Sequence, residues 1–269
     1  MKTRENKSIG AVRSRRRRVA LIILGGALAA VLWRLRQANR GRVNAQFARD
    51  GVLAGESRDA YIPALKFDWL TPLYDPVLTW VMREDTFKRH LVQQARIERG
   101  HRALDLGCGT ATLTVMIKQL HPEAEVVGLD GDPRVLEIAR VKAAKAGVDV
   151  RLDQGMAFAL PYPDGALDRV LSSLLFHHLQ QKDKKRTLRE VFRVLRPGGE
   201  LHVADLGKPQ NGLMYAVALV MARFEEASDN IAGLLPEMMR GAGFEEVEET
   251  ARCVTAFGTV ALYRARKPG

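Results

Sequence analysis

The sequence predicts an α/β fold: a mostly parallel sheet of seven strands with helices on both faces, closed by an antiparallel strand pair at the C-terminus. Three observations carry this. From Arg102 onward, short runs rich in Val, Leu and Ile alternate with segments of helical periodicity, the pattern of parallel strands joined by crossover helices. A glycine turn, Gly107-Cys108-Gly109, stands between the first such strand and the first such helix. After Gly241 the pattern changes to two strand-like segments with no helix between them.

Taken in order, "RALDLG" reads as a buried strand and "TATLTVMIKQL" as a helix that stops near His121-Pro122. "AEVVGLD" is a strand. "DPRVLEIARVKAAKAG" is a helix with Asp132 at its N-cap, Pro133 in its first turn and Gly147 at its end. "VDVRLDQG" and "LDRVLSSLLF" are strands. "KDKKRTLREVFRVL" is an amphipathic helix ended by Arg196-Pro197-Gly198-Gly199, and its charged run "KDKKRTLRE" reads as a solvated face. "GELHVADLG" is a strand. Helices are expected over 213–226 and 231–241, then "FEEVEETARCV" and "TAFGTVALYRARK" form the terminal pair.

The 269 residues suit one large domain with an appendage, and charge marks the division. Residues 1–50 hold 13 Lys and Arg against two acids, Glu5 and Asp50, which accounts for the whole net charge of +11. The remaining 29 basic and 29 acidic residues balance. A body that binds nucleic acid would carry a basic face of its own, so no nucleic-acid partner is expected. Residues 1–57 read as a basic tail, with an apolar helix at about 19–35 and a linker. Residues 58–97 read as a helical cap, with Trp69, Trp80 and Phe87 as its packing and Phe67 and Trp69 as a possible apolar wall. Residues 98–269 form the main domain. Two cysteines, Cys108 and Cys253, make neither a disulfide framework nor a zinc site.

The chemistry-bearing stretch is "ALDLGCGTATLTV". A glycine turn at the carboxyl end of a parallel strand lets backbone approach a ligand closely, where such sheets bind ligands. Thr112 stands where a dinucleotide fingerprint has its third glycine, which argues against a dehydrogenase. Asp130 ends the second strand about twenty residues later, a spacing that lets a carboxylate accept from a ribose diol.

Asp105-x-Gly107-x-Gly109, Asp130, "LPYPDGALDRV" and "EVFRVLRPGGELHVADLGKP" together resemble the class I S-adenosylmethionine-dependent methyltransferases. Within these, the chain is most similar to the ubiquinone/menaquinone-biosynthesis methyltransferases, from roughly Trp69 to the C-terminus. The resemblance implies a Rossmann-like fold and S-adenosyl-L-methionine as cofactor. It implies that Asp105, Gly107, Gly109 and Thr110 hold the methionine part, Asp130 the ribose, Met156 and Ala157 the adenine, that Ser173 lies near the sulfonium, and that Tyr74 of "PLYDP" closes the pocket. Two positions depart from the pattern. Met156 stands where an Asp or Asn commonly accepts from the adenine amino group, and Ala111 where a third glycine is common. His177 and His178 follow the fourth strand and can serve as a general base if the acceptor must lose a proton. They stand where the quinone-pathway enzymes carry an Arg-Asn pair, so that family's substrate is not carried over.

The expected activity is methyl transfer to a small lipophilic acceptor, quinone- or lipid-like. The alternatives are a nicotinamide-dependent oxidoreductase and a membrane-tethered, non-catalytic adaptor. The run Val19–Trp33 is about fifteen residues, roughly 22 Å as a helix, against a hydrocarbon core of about 30 Å. Its length also fits an export signal, and Ser14-Arg15-Arg16 resembles a twin-arginine start. Arginines on both sides, with a cofactor made in the cytoplasm, favour residues 13–36 as a shallow or interfacial anchor, or a short span with its N-terminus outside, that leaves the main domain on the cytoplasmic face of a membrane.

Overall fold

The computed structural model describes residues 84–212, 214, 215, 218, 227–255 and 258–269. The basic tail, the apolar run, Phe67, Trp69, Tyr74, Trp80, the cap before residue 84 and most of the helix expected over 213–226 lie outside the described residues. Among the described residues no helix is long and apolar enough to cross a membrane.

Seven strands form one sheet: β1 (Arg102–Leu106), β2 (Glu125–Asp130), β3 (Arg151–Gln154), β4 (Leu167–Ser173), β5 (Leu195–Leu206), β6 (Glu245–Thr255) and β7 (Gly258–Arg266). Their order is β3-β2-β1-β4-β5-β7-β6. The first five run parallel, and β7 is antiparallel to both β5 and β6. The chain leaves β1 towards β2 and β3, then returns to the other side of β1 for β4. The strand order therefore reverses between β1 and β4, and the crevice beyond their carboxyl ends is where this class of sheet binds ligands.

The strands are buried on both sides because their neighbours alternate. Leu104, Val127, Val170 and Val203 belong to one core cluster with Leu188, Val191 and Met239 from α4 (Gln181–Val194) and α6 (Leu235–Gly241). Ala103, Val126, Leu171 and Ala204 belong to the other, with Phe87 and Leu91 of α1 (Glu84–Gln94) and Leu113 and Ile117 of α2 (Thr112–Leu120). Successive residues of a strand thus enter opposite layers, as the two-residue period requires. Phe87 is fully buried, as expected of a packing residue.

Helix α3 (Pro133–Ala146) forms as its sequence reads. Asp132 accepts from the Arg134 amide, Pro133 opens the first turn and Gly147 closes the end in the left-handed conformation. Other boundaries moved. The expected 231–241 helix is two pieces, α5 (Ser228–Ala232) and α6, broken where Gly233 adopts φ 74° and Pro236 starts the next helix. β4 ends at Ser173 because Leu174 turns to φ 59°, after which Phe176–His178 form a 3₁₀ turn. Arg196–Gly199 does not stand outside the sheet. It forms an irregularity within β5, where Leu195 pairs with Leu167 and the next pair is Glu200 with Arg169. The run "KDKKRTLRE" is solvated in part only: Lys184 is fully buried and meets Asp229 at 3.3 Å, and Arg186 lies over the Phe158 ring at 4.5 Å.

Candidate functional site

The end of β2 organises the crevice. The Gly107 and Cys108 amides both donate to the Leu129 carbonyl, at 2.8 and 3.0 Å. One residue on, the Asp130 carboxylate accepts from the Gly109 amide at 2.9 Å and from the Asp132 amide at 3.0 Å, while its carbonyl accepts from Gly155 at 3.0 Å. Two carbonyls and one carboxylate at the end of β2 therefore tie together the glycine loop, the cap of α3 and the turn that carries Met156 and Ala157. Each carboxylate oxygen of the half-buried Asp130 has one backbone donor, which leaves lone pairs for the hydroxyls of a bound diol.

The two glycines do different work. Gly107 has φ 72°, and a Cβ there would sit 2.8 Å from Leu175 Cδ1, so the loop and the segment after β4 are in contact. Gly109 has φ 53°, but a Cβ there would meet nothing within 4 Å, so open space lies over it. Ala111, where a third glycine is common, also takes the left-handed conformation with φ 63° and is fully buried. An alanine there carries roughly 1–2 kcal/mol of backbone strain.

Thr110 faces α3 and accepts from Lys142 Nζ at 2.7 Å, and the same ammonium reaches Thr112 at 2.8 Å. Asp105 is fully buried on β1, where the Thr114 hydroxyl donates to it at 2.6 Å. Burial pushes its pKa up to about 6, against the Thr114 hydrogen bond and the nearby Lys88 ammonium. Burial also pushes the Cys108 thiol far up, so this cysteine is a packed group rather than a thiolate. Met156 bridges to Ala159 in a tight turn, with Met156 half-buried and Ala157 buried. The "LPYP" segment that follows is clamped by α4: Glu190 accepts from the Leu160 amide at 2.8 Å, and Arg193 donates to the Leu160 and Tyr162 carbonyls.

On the β4 side, the Ser173 hydroxyl is buried without a hydrogen-bond partner. Beyond it, His177 Nδ1 lies 2.8 Å from Asp205 Oδ1, and the two rings of His177 and His178 are 4.0 Å apart at 42°. Asp205, at the carboxyl end of β5, is fully buried. It also accepts from the Phe176 and Leu206 amides at 2.7 Å each and from the Asn230 side chain at 3.1 Å. Burial alone would raise its pKa, but His177 and the two amides outweigh that and hold the carboxyl below its ordinary value. Sequence reasoning named neither Asp205, Asn230, Thr114 nor Lys142. The one signal for Asp205 was an acid closing "HVADL" at the same edge as the glycine loop.

The site so assembled suits the expected cofactor: a carboxylate with lone pairs to spare, open space over Gly109 and an unsatisfied hydroxyl at Ser173 lie around one crevice. Among the described residues no group of His, Cys, Asp and Glu could hold a metal ion. A groove between α4 and α6, lined by Gln181, Lys185, Leu234 and Met238 among others, shares no residue with this edge.

The Asp105 carboxyl makes a testable contribution to stability. In the unfolded chain it titrates near 3.8 and in the fold near 6, so between these values the folded protein holds a proton that the unfolded chain has lost. The resulting stabilisation is complete below the lower value and is lost as pH rises through the upper one. The shift corresponds to on the order of 3 kcal/mol. Urea unfolding of the wild type should therefore weaken by that order relative to Asp105→Asn between about pH 4 and pH 7. Parallel pH profiles for the two proteins would contradict this.

Residues 103–199 match the family description of a methyltransferase domain. Over 205 residues the chain is 35% identical to the demethylmenaquinone methyltransferase of Thermus thermophilus, covering 68% of this chain and 90% of that protein. It is 33% identical over 187 residues to the enzyme of the same name from Deinococcus radiodurans, covering 66% and 76%. Among solved structures, the S-adenosylmethionine-dependent methyltransferase SibL in its apo form is 26% identical with a TM-score of 0.62, across 80% of this chain and 64% of SibL. The cyclase SpnF shares the fold at 22% identity and a TM-score of 0.56, across 68% and 80%. By its sequence, its sheet order and its glycine loop, this chain belongs to the class I S-adenosylmethionine-dependent methyltransferases, as a relative of the demethylmenaquinone methyltransferases, and its cofactor is S-adenosylmethionine.

Proposed function

We propose that this methyltransferase acts on a small lipophilic acceptor of quinone or lipid type, at the cytoplasmic face of a membrane. The observation that carries the acceptor class is the 35% identity, over nine-tenths of its length, to a relative named for a demethylated menaquinone. The histidines at 177 and 178 set this chain apart from the quinone-pathway pattern, so the class is proposed and not the compound. The arginine-flanked apolar run at residues 13–36 supports the location, because it would bring a charge-balanced body to a surface where such acceptors concentrate. The two other readings of the sequence, a nicotinamide-dependent oxidoreductase and a non-catalytic adaptor, give way to family membership.

When bound, the cofactor supplies a methyl group already activated on a sulfonium. The protein's part is then largely to hold the acceptor in line with it. In this proposal Asp130 accepts from the ribose hydroxyls and the backbone over Gly107, Gly109 and Thr110 takes the methionine part, with Asp105 buried beneath. Met156 packs on adenine in place of a polar acceptor, with Ala157 beside it, and the Ser173 hydroxyl serves the end nearest the sulfonium. Tyr74 would close the pocket from the cap.

Two measurements test the proposal. Full-length protein incubated with methyl-labelled S-adenosylmethionine and extracts of the source cells should place label in the organic-solvent fraction. Label confined to water-soluble products would rule out a lipophilic acceptor. In sealed cells the catalytic domain should resist protease added outside and be cut only after lysis, whereas digestion from the outer face would overturn the assigned location.

A further inference from the structure

The turn assigned to the adenine end has no polar side chain of its own. From Gly155 to Pro161 every residue is apolar or glycine, and the Met156 thioether is only a weak acceptor. Tyr162, the next polar residue, donates its hydroxyl proton to Asp153 of β3 at 3.0 Å. What the turn does have is main-chain donors. The Ala159 amide closes it on the Met156 carbonyl at 3.0 Å, whereas among the described residues the Ala157 and Phe158 amides at its tip make no hydrogen bond. Ala157 is 9% exposed, and a main-chain donor in so buried a residue calls for a partner.

Ordering such a turn costs backbone entropy that one internal hydrogen bond does not offset. The support comes from α4, where Arg186, Glu190 and Arg193 share one face at i, i+4 and i+7. Arg186 lies over the Phe158 ring at 4.5 Å. Glu190 accepts from the Leu160 amide at 2.8 Å and Arg193 donates to the Leu160 carbonyl at 3.0 Å, so both polar groups of one residue are held. The same guanidinium reaches the Tyr162 carbonyl and the Asp164 carboxylate at 2.8 Å each, and pairs with both oxygens of Glu190 at 2.9 and 2.8 Å. Those last bonds hold the Glu190 carboxyl below its ordinary range and keep it an acceptor. A planar fork fixes the direction of each carbonyl it meets, which packing of the Leu160 side chain does not.

Resting on the reading of this crevice as the S-adenosylmethionine site, we propose that the base is selected by the main chain at Ala157 and Phe158, with no side-chain reader, and that Glu190 and Arg193 are the positioning residues that set this selectivity from behind the turn. Adenine presents an acceptor at N1 and a donor at its 6-amino group. An amide held at the tip donates to N1. Hypoxanthine instead carries a hydrogen on N1 and an oxygen at position 6, so two donors would face each other and neither would be satisfied. Selectivity for adenine then depends on where the main chain points. A side-chain reader would carry its own geometry, but a main-chain reader borrows it from whatever holds the turn, which here is the Glu190–Arg193 pair.

Calorimetry on the full-length protein compares S-adenosylhomocysteine with S-inosylhomocysteine, which differs only in the base. The wild type should bind the adenine compound at least about tenfold more tightly, because the other base leaves a buried donor unpaired. Arg193→Ala and Glu190→Ala should each weaken S-adenosylhomocysteine by about tenfold and leave S-inosylhomocysteine within about threefold, so that the preference collapses. Glu190→Gln, which keeps an acceptor for the Leu160 amide, should retain the preference. Arg193→Lys, which keeps the charge without the fork, should lose it. Arg193→Lys and Glu190→Ala decide the matter if Arg193→Ala does not fold. A merely structural pair would lower the unfolding midpoint and weaken both compounds alike. That result, equal affinity of the wild type for the two compounds, or a preference unchanged in the alanine variants would each overturn the inference. Absent binding of either compound by the wild type would instead signal failure of the cofactor reading itself.

Discussion

The crevice depends on the last two residues of β2. Through two carbonyls and the Asp130 carboxylate, Leu129 and Asp130 accept backbone donors from the glycine loop, from the start of α3 and from the turn after β3. A parallel sheet exposes unpaired carbonyls at its carboxyl edge, and these must find donors. Here the donors are the loops that form the site, so satisfying the sheet end and shaping the crevice are one event. This also explains why Gly128, one residue earlier, leaves no room: a Cβ there would meet Leu152 at 2.8 Å and Thr114 at 3.0 Å. The strand end is packed tightly beneath so that the loops above can be placed closely.

Three aspartates share this edge, and each has different surroundings. Asp105 has only the hydroxyl and the amide of Thr114 as donors against deep burial, and is raised to about 6. Asp205 is equally buried but has four donors, and is held low. Asp130 is half-buried, with one backbone donor on each oxygen. Burial alone therefore does not decide the charge of a carboxyl; the count and kind of its donors do. Each setting suits the part assigned to its residue: packing under the loop, anchoring an imidazole, and offering lone pairs to a ligand.

Much of the fold was legible because it is local. Alternating periods announced the strands and helices, and Asp132, Pro133 and Gly147 marked both ends of α3 within sixteen residues. The crevice was legible to the same extent, through Gly107, Gly109 and Asp130. Contacts between distant residues were not. Asp205 meets a histidine 28 residues away, Lys142 meets a threonine 32 residues away, and the fully buried Lys184 meets Asp229, 45 residues away. A lysine in a charged run looks solvated until its partner is known. The split at Gly233 was hidden for another reason: a helical pattern on both sides of a glycine masks the left-handed residue between them.

If the strand end of β2 is what makes the cofactor site, Asp130 is the residue through which that is measured. Calorimetric titration of the full-length protein with S-adenosylhomocysteine, beside Asp130→Ala with its unfolding midpoint checked, reads this directly. The variant should remain folded and bind at least about tenfold more weakly, the loss of roughly 1.4 kcal/mol that one good polar contact represents. Equal affinity in the two proteins would show that the cofactor is held elsewhere and would contradict the account given of this edge.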